Sequence, residues 1–383
     1  MKRREFYFLV VVVISSIILL FLPTGYENPE NRENIYYEKG RVLGVNNDNL
    51  ERISVVTLGT QELEVLLLSG KFEGDTVIAL NELLGDKRRD NIFEEGDKAL
   101  TVIRLDKSQE QIVESRIEER YRKDYELLLL GAFLICLIIF AGWTGAKAAV
   151  SFIFTALSFW KLLLPALLNG YSPILVSLGI IVLTTSIIIL LVGGVTKRGF
   201  IALSGAILGV VATVILASVF GKLFQIPGTI AEYSDALLYA GYIDLDFSQM
   251  FISSIFISSA GAVMDVAMDI ASALDELNKK APHLSTKSLI RSGLNIGSPV
   301  VGSMTTTLLF AYSSSFLFVF MAFMAQGMPI EIIINRGFIS SEILHTIVGS
   351  FGLVLVAPLT AIIGGILYKS NNILFLHKKH RNT

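Results

Sequence analysis

Cysteine is almost absent from this chain. The one copy, Cys136, lies in an apolar run. No internal disulfide can form, so any domain outside a membrane must be stable without one. Charge is scarce as well: 17% of residues are charged, against about 25% in a typical soluble protein. No basic block is present, which argues against a nucleic-acid partner. The four histidines show no HExxH or comparable ligand spacing. Glu342 and His345 lie three apart, but two such residues make a poor metal site. His345 is therefore expected at a membrane interface. The expectation is a non-enzymatic protein with no metal and no cofactor.

What is present is apolar surface. Apolar residues make up 52% of the chain, and they are not evenly spread. Residues 27–126 are rich in charge, while most of the remainder is nearly free of it. A helix needs about 20 apolar residues to cross the ~30 Å hydrocarbon core. Segment 6–22 fits, after Lys2, Arg3 and Arg4. It is expected to remain as a signal anchor, because residues 21–25 lack a small-x-small cleavage pattern. Further spans are expected at 127–143, 146–168, 174–192, 200–220, 248–271, 294–324 and 342–367. The span 294–324 is long and holds Ser313, Ser314 and Ser315 in its middle, so a tilt, a kink or a continuation beyond the bilayer is open there.

Positive charge sets the orientation, because Lys and Arg concentrate in short cytoplasmic loops. With the N-terminus inside, cytoplasmic segments hold Lys2, Arg3, Arg4, Lys147, Lys197, Arg198, Lys279, Lys280, Lys287, Arg291, Lys369, Lys378, Lys379 and Arg381. The short outer loops hold only Lys222 and Arg336. The expected fold is a polytopic α-helical membrane protein of about eight spans with a small extracytoplasmic all-β domain. Its parts are a signal-anchor helix (1–23), the outer β-rich domain (27–126), a membrane domain of seven helices (127–368) and a basic cytoplasmic tail (369–383). Both termini are expected in the cytoplasm of a cell-membrane protein.

The outer domain shows short, partly alternating runs rich in β-branched residues near 52–58, 62–68 and 75–80. Gly59, Gly70, Gly74, Gly85 and Gly96 punctuate them. A small antiparallel barrel or sandwich is expected. Residues 109–126 look helical and continuous with the second span, with Arg116, Arg120 and Arg122 on a solvated face. The domain carries no nucleophile motif and no phosphate loop, so its expected role is structural or in docking a protein partner.

The informative segment is GAVMDVAMDIASALDE at 261–276. On a helix Ser258, Gly261, Asp265, Asp269, Ser272 and Glu276 share one face. An Asp at the bilayer centre costs roughly 2.5–3.5 kcal/mol on insertion scales. Such residues usually face a bundle interior or a water-filled path. Asp265, Asp269 and Glu276 are the expected ion or proton relay, although Glu276 and Asp269 also suit a plain cytoplasmic interface. The next span supplies polar partners: Asn295, Ser298, Ser303, Thr305, Thr306 and Thr307. Ser and Thr in membrane helices commonly bond back to their own backbone, so packing is the competing role. The Gly205/Gly209 and Gly293/Gly297 pairs suit close helix contact.

At these residues the sequence resembles the YibE/F-like family of membrane proteins. The likeness is carried by GAVMDVAMDIASALDEL and by SLIRSGLNIGSPVVGSMTTTLLFAY at 288–312. PALLNGYSP at 165–173 and VGSFGLVLVAPLTAII at 348–363 add to it. The resemblance implies a multi-span fold and no particular activity. Where that family usually has Asn between two threonines, this chain has Thr306, so a role needing the amide is absent here. Residues 261–309 also look faintly like part of the SecD and SecF protein-export subunits. That likeness would match Asp265, Glu276, the basic loop from Lys279 to Arg291, and Thr306-Thr307-Leu308. The Asp here is followed by Val-Ala, and a hairpin at 127–168 intervenes.

Two functions compete. One is a transporter or proton/cation-coupled permease of unknown substrate. The other is a non-transporting factor that assists protein export or envelope assembly through its outer domain. The expected partners are the bilayer, a protein at the outer domain, and further copies or subunits. An intramembrane aspartyl protease needs carboxylates converging from different helices; both Asp residues here lie on one.

Overall fold

The computed structural model describes residues 3–26, 34–106, 111–314 and 316–379. Two compact units make up the chain: Gly25–Cys136, and Met1–Thr24 together with Leu137–Thr383.

The smaller unit is built on six strands: β1 (Ile35–Asn46), β2 (Leu50–Ile53), β3 (Val56–Leu67), β4 (Thr76–Leu84), β5 (Lys98–Leu105) and β6 (Ile112–Arg120). Strand β1 pairs antiparallel with both β3 and β5. Antiparallel pairs β3–β4 and β5–β6 follow, and a parallel contact between β4 and β6 closes the ring. The cycle β1-β5-β6-β4-β3 is the topology of an OB-type barrel, with β2 added as a hairpin arm on β3. The expectation of a barrel or sandwich resolves to the barrel, and one pairing is parallel rather than antiparallel.

Period-two burial explains the strands. Leu63, Val65 and Leu67 point inward from β3, while Glu62 and Glu64 alternate with them. Phe93 plugs the interior with 1% exposure. A buried amide network holds its segment: Asn81 donates to Gln61 Oε1 (2.8 Å) and to the Asn91 carbonyl (2.8 Å), and Phe93 N–H donates to Gln61 Oε1 (3.0 Å).

Residues 109–126 are not one helix. Residues 107–110 lie outside the described residues, and Ile112–Arg120 is strand β6. Ser115 and Ile117 face inward and Arg116 and Glu118 outward. The strong local helix formers yield to the demand for a strand that closes the barrel. The arginines are paired: Arg116 with Glu118 (3.3 Å), Arg120 with Asp97 (2.9 Å), Arg122 with Glu119 (2.9 Å). Lys39 donates to Asp124 (2.6 Å), which raises the lysine above its ordinary pKa.

The helices in chain order are α1 (Arg3–Phe21), α2 (Lys123–Ser158), α3 (Leu164–Leu168, entered through a π turn at Phe159–Leu163), α4 (Pro173–Val192), α5 (Lys197–Phe224), α6 (Ser234–Tyr239), α7 (Phe247–Lys280), α8 (Thr286–Ser314), α9 (Leu317–Ala325), α10 (Ile330–Asn335) and α11 (Gly337–Lys379). Among the described residues, five helices are long and apolar enough to cross a membrane, or six if the bent pair α8–α9 counts as one. Helix α1 is a shorter apolar helix that buries Leu9, Val12 and Leu19 in a cluster with Phe154 and Leu191. Helix α11 runs on to Lys379, so most of the expected tail continues it; residues 380–383 lie outside the described residues.

Two breaks matter. Gly142 has φ 56° and ψ −128°, inside the run Lys123–Leu168. A Cβ on Gly145 would collide with the Leu137 carbonyl, although eight residues span roughly 12 Å of straight helix. The chain therefore bends sharply where two expected spans meet. The expected span 294–324 is also broken: α8 and α9 meet at 62°, around Ser315, which itself is outside the described residues. Successive serines compete for backbone carbonyls and weaken a helix locally; Ser314 donates to the Ala311 carbonyl (2.9 Å).

The bundle core lies among α5, α7, α8 and α11, with Phe256, Val263, Val266, Ile270, Leu274, Leu289, Leu353 and Val356 buried in it. Glycines let these helices approach. A Cβ on Gly205 would overlap Thr360, and one on Gly209 would sit 2.8 Å from Val263. A Cβ on Gly293 would sit 2.9 Å from Ala361, and one on Gly297 would sit 2.8 Å from Ile270. Both glycine pairs named from the sequence are contact points.

Candidate functional site

Helix α7 divides cleanly by face. Val263, Val266, Ala267 and Ile270 are fully buried. Ser258, Gly261, Asp265, Asp269 and Glu276 are exposed on the surface of the bundle, and Ser272 is half-buried. The apolar positions recur at three and four, which turns the intervening acidic set away from the core. From Ser258 to Glu276 this stripe spans 18 residue steps, or roughly 27 Å of helix. That is close to the ~30 Å thickness of a hydrocarbon core.

The carboxylates differ. Glu276 pairs with Lys280 (3.0 Å) one turn on. Among the described residues, Asp265 and Asp269 make no hydrogen bond and no ion pair. Asp275, on the adjoining side of the helix, is fully engaged: Lys279 donates to it (2.6 Å) and so does the Tyr368 hydroxyl (2.9 Å). Its role is to tie α7 to α11.

Helix α8 lies antiparallel beside α7. Tyr312 meets Ser258, and Gly297 meets Ile270. That register sets Asp265 level with Gly302 to Thr305, and Asp269 level with Ser298 to Val301. Asn295, Ser298, Ser303, Thr306 and Thr307 are exposed; Thr305 is half-buried. The hydroxyls donate to their own helix: Ser303 to the Val300 carbonyl (3.0 Å), Thr305 and Thr306 to Gly302 (3.0 and 3.4 Å), Thr307 to Ser303 (3.1 Å). None bonds to Asp265 or Asp269. Thr305 and Thr306 instead line a groove of about 370 Å³ with Thr346 and Ser350 of α11.

One cluster escaped sequence reasoning. His345 has partners on two other helices. Its Nε2 lies 2.5 Å from Ser258 Oγ, and its ring lies 4.7 Å from that of Tyr312. The Tyr312 hydroxyl donates to Ser258 Oγ (3.0 Å). Three helices thus converge on one hydroxyl at the end of the acidic stripe opposite Glu276. Ser258 was legible as a member of the stripe. The other two were not, because they lie 54 and 87 residues from it in sequence. Groups of three or more metal-ligating side chains are absent among the described residues.

A bundle of helices long and apolar enough to cross a membrane, with a small β-barrel unit, fits the class of membrane-associated helical proteins. The chain belongs to the YibE/F-like family: the family model described as YibE/F-like protein matches residues 129–370. Neither the curated proteins nor the solved structures contain a match to the chain.

Proposed function

We propose that the protein is a proton- or cation-coupled membrane transporter whose path follows the acidic face of α7 beside the polar face of α8. The observation that carries this reading is the pair Asp265 and Asp269, unpaired and turned out from the core in an apolar helix. An unpaired carboxylate in hydrocarbon is costly. Water along the α7–α8 seam removes that cost, and a carboxylate beside water can take up and release a proton. Asp265 is the exchanging group. Asp269, one turn away, couples to its titration. Glu276 marks the cytoplasmic mouth.

The reading takes the membrane topology as eight crossings, with both termini in the cytoplasm of a cell-membrane protein and the barrel outside. The bend at Gly142 supports two crossings in the run Lys123–Leu168. Helix α9, at nine residues, covers roughly 13 Å and is too short to cross, so α8 makes that crossing alone. The packing of α1 against Phe154 and Leu191 supports its retention as an anchor.

The test is thiol accessibility in a Cys136→Ser background. Single cysteines at 265, 269, 298 and 303 should react with a membrane-impermeant reagent. Cysteines at 263 and 270, which face the core, should not. Protection of the whole stripe would sink the path.

A second reading, an export or assembly factor, is favoured by the barrel. Ile78 (61% exposed) and Leu84 (74%) lie on the outer face of β4, and Glu62, Glu64 and Glu82 surround them. That mixture suits a basic, amphipathic polypeptide. Loss of a co-purifying partner on deletion of residues 34–121 would favour this reading. A partner retained without the barrel would count against it.

A further inference from the structure

We propose that His345, clasped between Ser258 and Tyr312, is the proton-carrying group at the outer end of the α7 path; the inference rests on the transport reading above. The argument begins with proton counting at one oxygen. A serine hydroxyl has one proton to give and two lone pairs to receive with. Ser258 Oγ has three neighbours: the Ile255 carbonyl at 2.9 Å, the Tyr312 hydroxyl at 3.0 Å and His345 Nε2 at 2.5 Å. The carbonyl can only accept. When Ser258 donates to it, Tyr312 and His345 must both donate to Ser258, and Nε2 carries a proton. When Ser258 swings its proton to His345, Nε2 is bare and the bond to Ile255 is given up. The same three side chains therefore hold two proton arrangements that differ in the rotation of one hydroxyl and in whether Nε2 carries a proton.

That is what a relay needs. In one cycle the free ring nitrogen of His345 takes a proton from the outer side. Nε2 then passes its own proton to Ser258 Oγ, and the Ser258 proton moves on to water. At every step one N–H or O–H bond breaks and one forms, and no other reactant is consumed. One pass leaves the ring protonated on Nδ1 and bare at Nε2; a turn of the imidazole about its Cβ–Cγ bond exchanges the two nitrogens, and rotation of the Ser258 hydroxyl back to the Ile255 carbonyl completes the return to the start. Glu342, one turn before His345 on α11, supplies a carboxylate on the outer side. The groups set about the ring are thus Ser258 from α7, Tyr312 from α8 and Glu342 from its own helix.

The way onward is open. Ser258 and Asp265 are two turns apart, roughly 10 Å along the axis. The residue between them on that face is Gly261, and nothing lies within 4 Å of the position its Cβ would take. A larger residue there would cover the strip that water must wet.

Two measurements on the full chain in nanodiscs test the node. Nitrogen-15 histidine spectra are recorded across about pH 4 to 9, where an ordinary histidine titrates; the signal missing in His345→Gln identifies the residue. His345 should change protonation within that range, and Asp265→Asn should move its midpoint by about half a pH unit or more. Ser258→Ala, which keeps the ring and removes its partner, should shift the balance of the two neutral tautomers. A ring fixed in one protonation state throughout overturns the inference, and so does a midpoint indifferent to Asp265→Asn. Thiol labelling at 265 and 269 decides the path independently. A wet stripe beside an inert His345 defeats the node and leaves the path. A dry stripe defeats the path, whatever the histidine does.

Discussion

Asp265 shows how far a single residue can be interpreted from its neighbours in sequence. Its membership of one face with Ser258 and Asp269 follows from helical spacing alone, because Val263, Val266 and Ile270 alternate with it in the core. Asp265→Asn keeps the shape and removes the titration. Expression and thermal stability should stay near wild type while any proton-coupled uptake is lost; full uptake by that variant would end its assignment. Thr360 makes a different case. Its hydroxyl is fully buried without a hydrogen-bond partner and lies against Gly205. A lone buried hydroxyl costs about 1–3 kcal/mol, and valine has nearly its shape. Thr360→Val should leave the melting temperature unchanged or raise it, by a thermal-shift measurement in detergent. The sequence offers no hint of this, because a threonine bonded to its backbone and one left unpaired look alike until the neighbouring helix is in place. His345 escaped for the same reason: its meaning lies in two residues on other helices.

Elements were legible where local pattern and tertiary demand agreed. The long apolar helices follow from hydropathy, and the sharp bend at Gly142 falls at the end of the first of two adjoining apolar runs. Strand β6 was not legible, because Glu and Arg in IVESRIEER favour a helix until β4 and β5 need a strand between them. The junction of α8 and α9 was visible only as an excess of length and three serines. Gly142 gives the sharpest element-scale prediction. Its φ of 56° with ψ of −128° is a combination essentially closed to side chains, at a cost on the order of 1–3 kcal/mol. Gly142→Ala should lower the melting temperature by several degrees. Gly131→Ala is the matched control, since that glycine is in ordinary helix with open space about it. There alanine should be neutral or stabilising by about 0.5–1 kcal/mol. Equal effects of the two substitutions would show that the bend at Gly142 is not required.

At the scale of the whole molecule, the two units bury separate cores. The barrel closes on itself around Leu63, Val65, Ala99 and Ile103 with no disulfide, and its ring of pairings leaves none of the five barrel strands waiting for an outside partner. It should therefore fold alone. Residues 34–121 expressed without the helices should unfold in urea in one cooperative step. Phe93→Ala should remove about 3–5 kcal/mol, a large part of the stability of a domain of this size, and move the transition to much lower urea. A gradual, non-cooperative loss of structure in the wild-type fragment would mean that the barrel depends on the rest of the chain. The result bears on function as well as folding. If the fragment folds, deleting it becomes a clean operation on the remainder. A transport path confined to α7, α8 and α11 should then retain its thiol accessibility at positions 265 and 269 without the barrel. An export or assembly factor would keep those helices intact and still lose its partner.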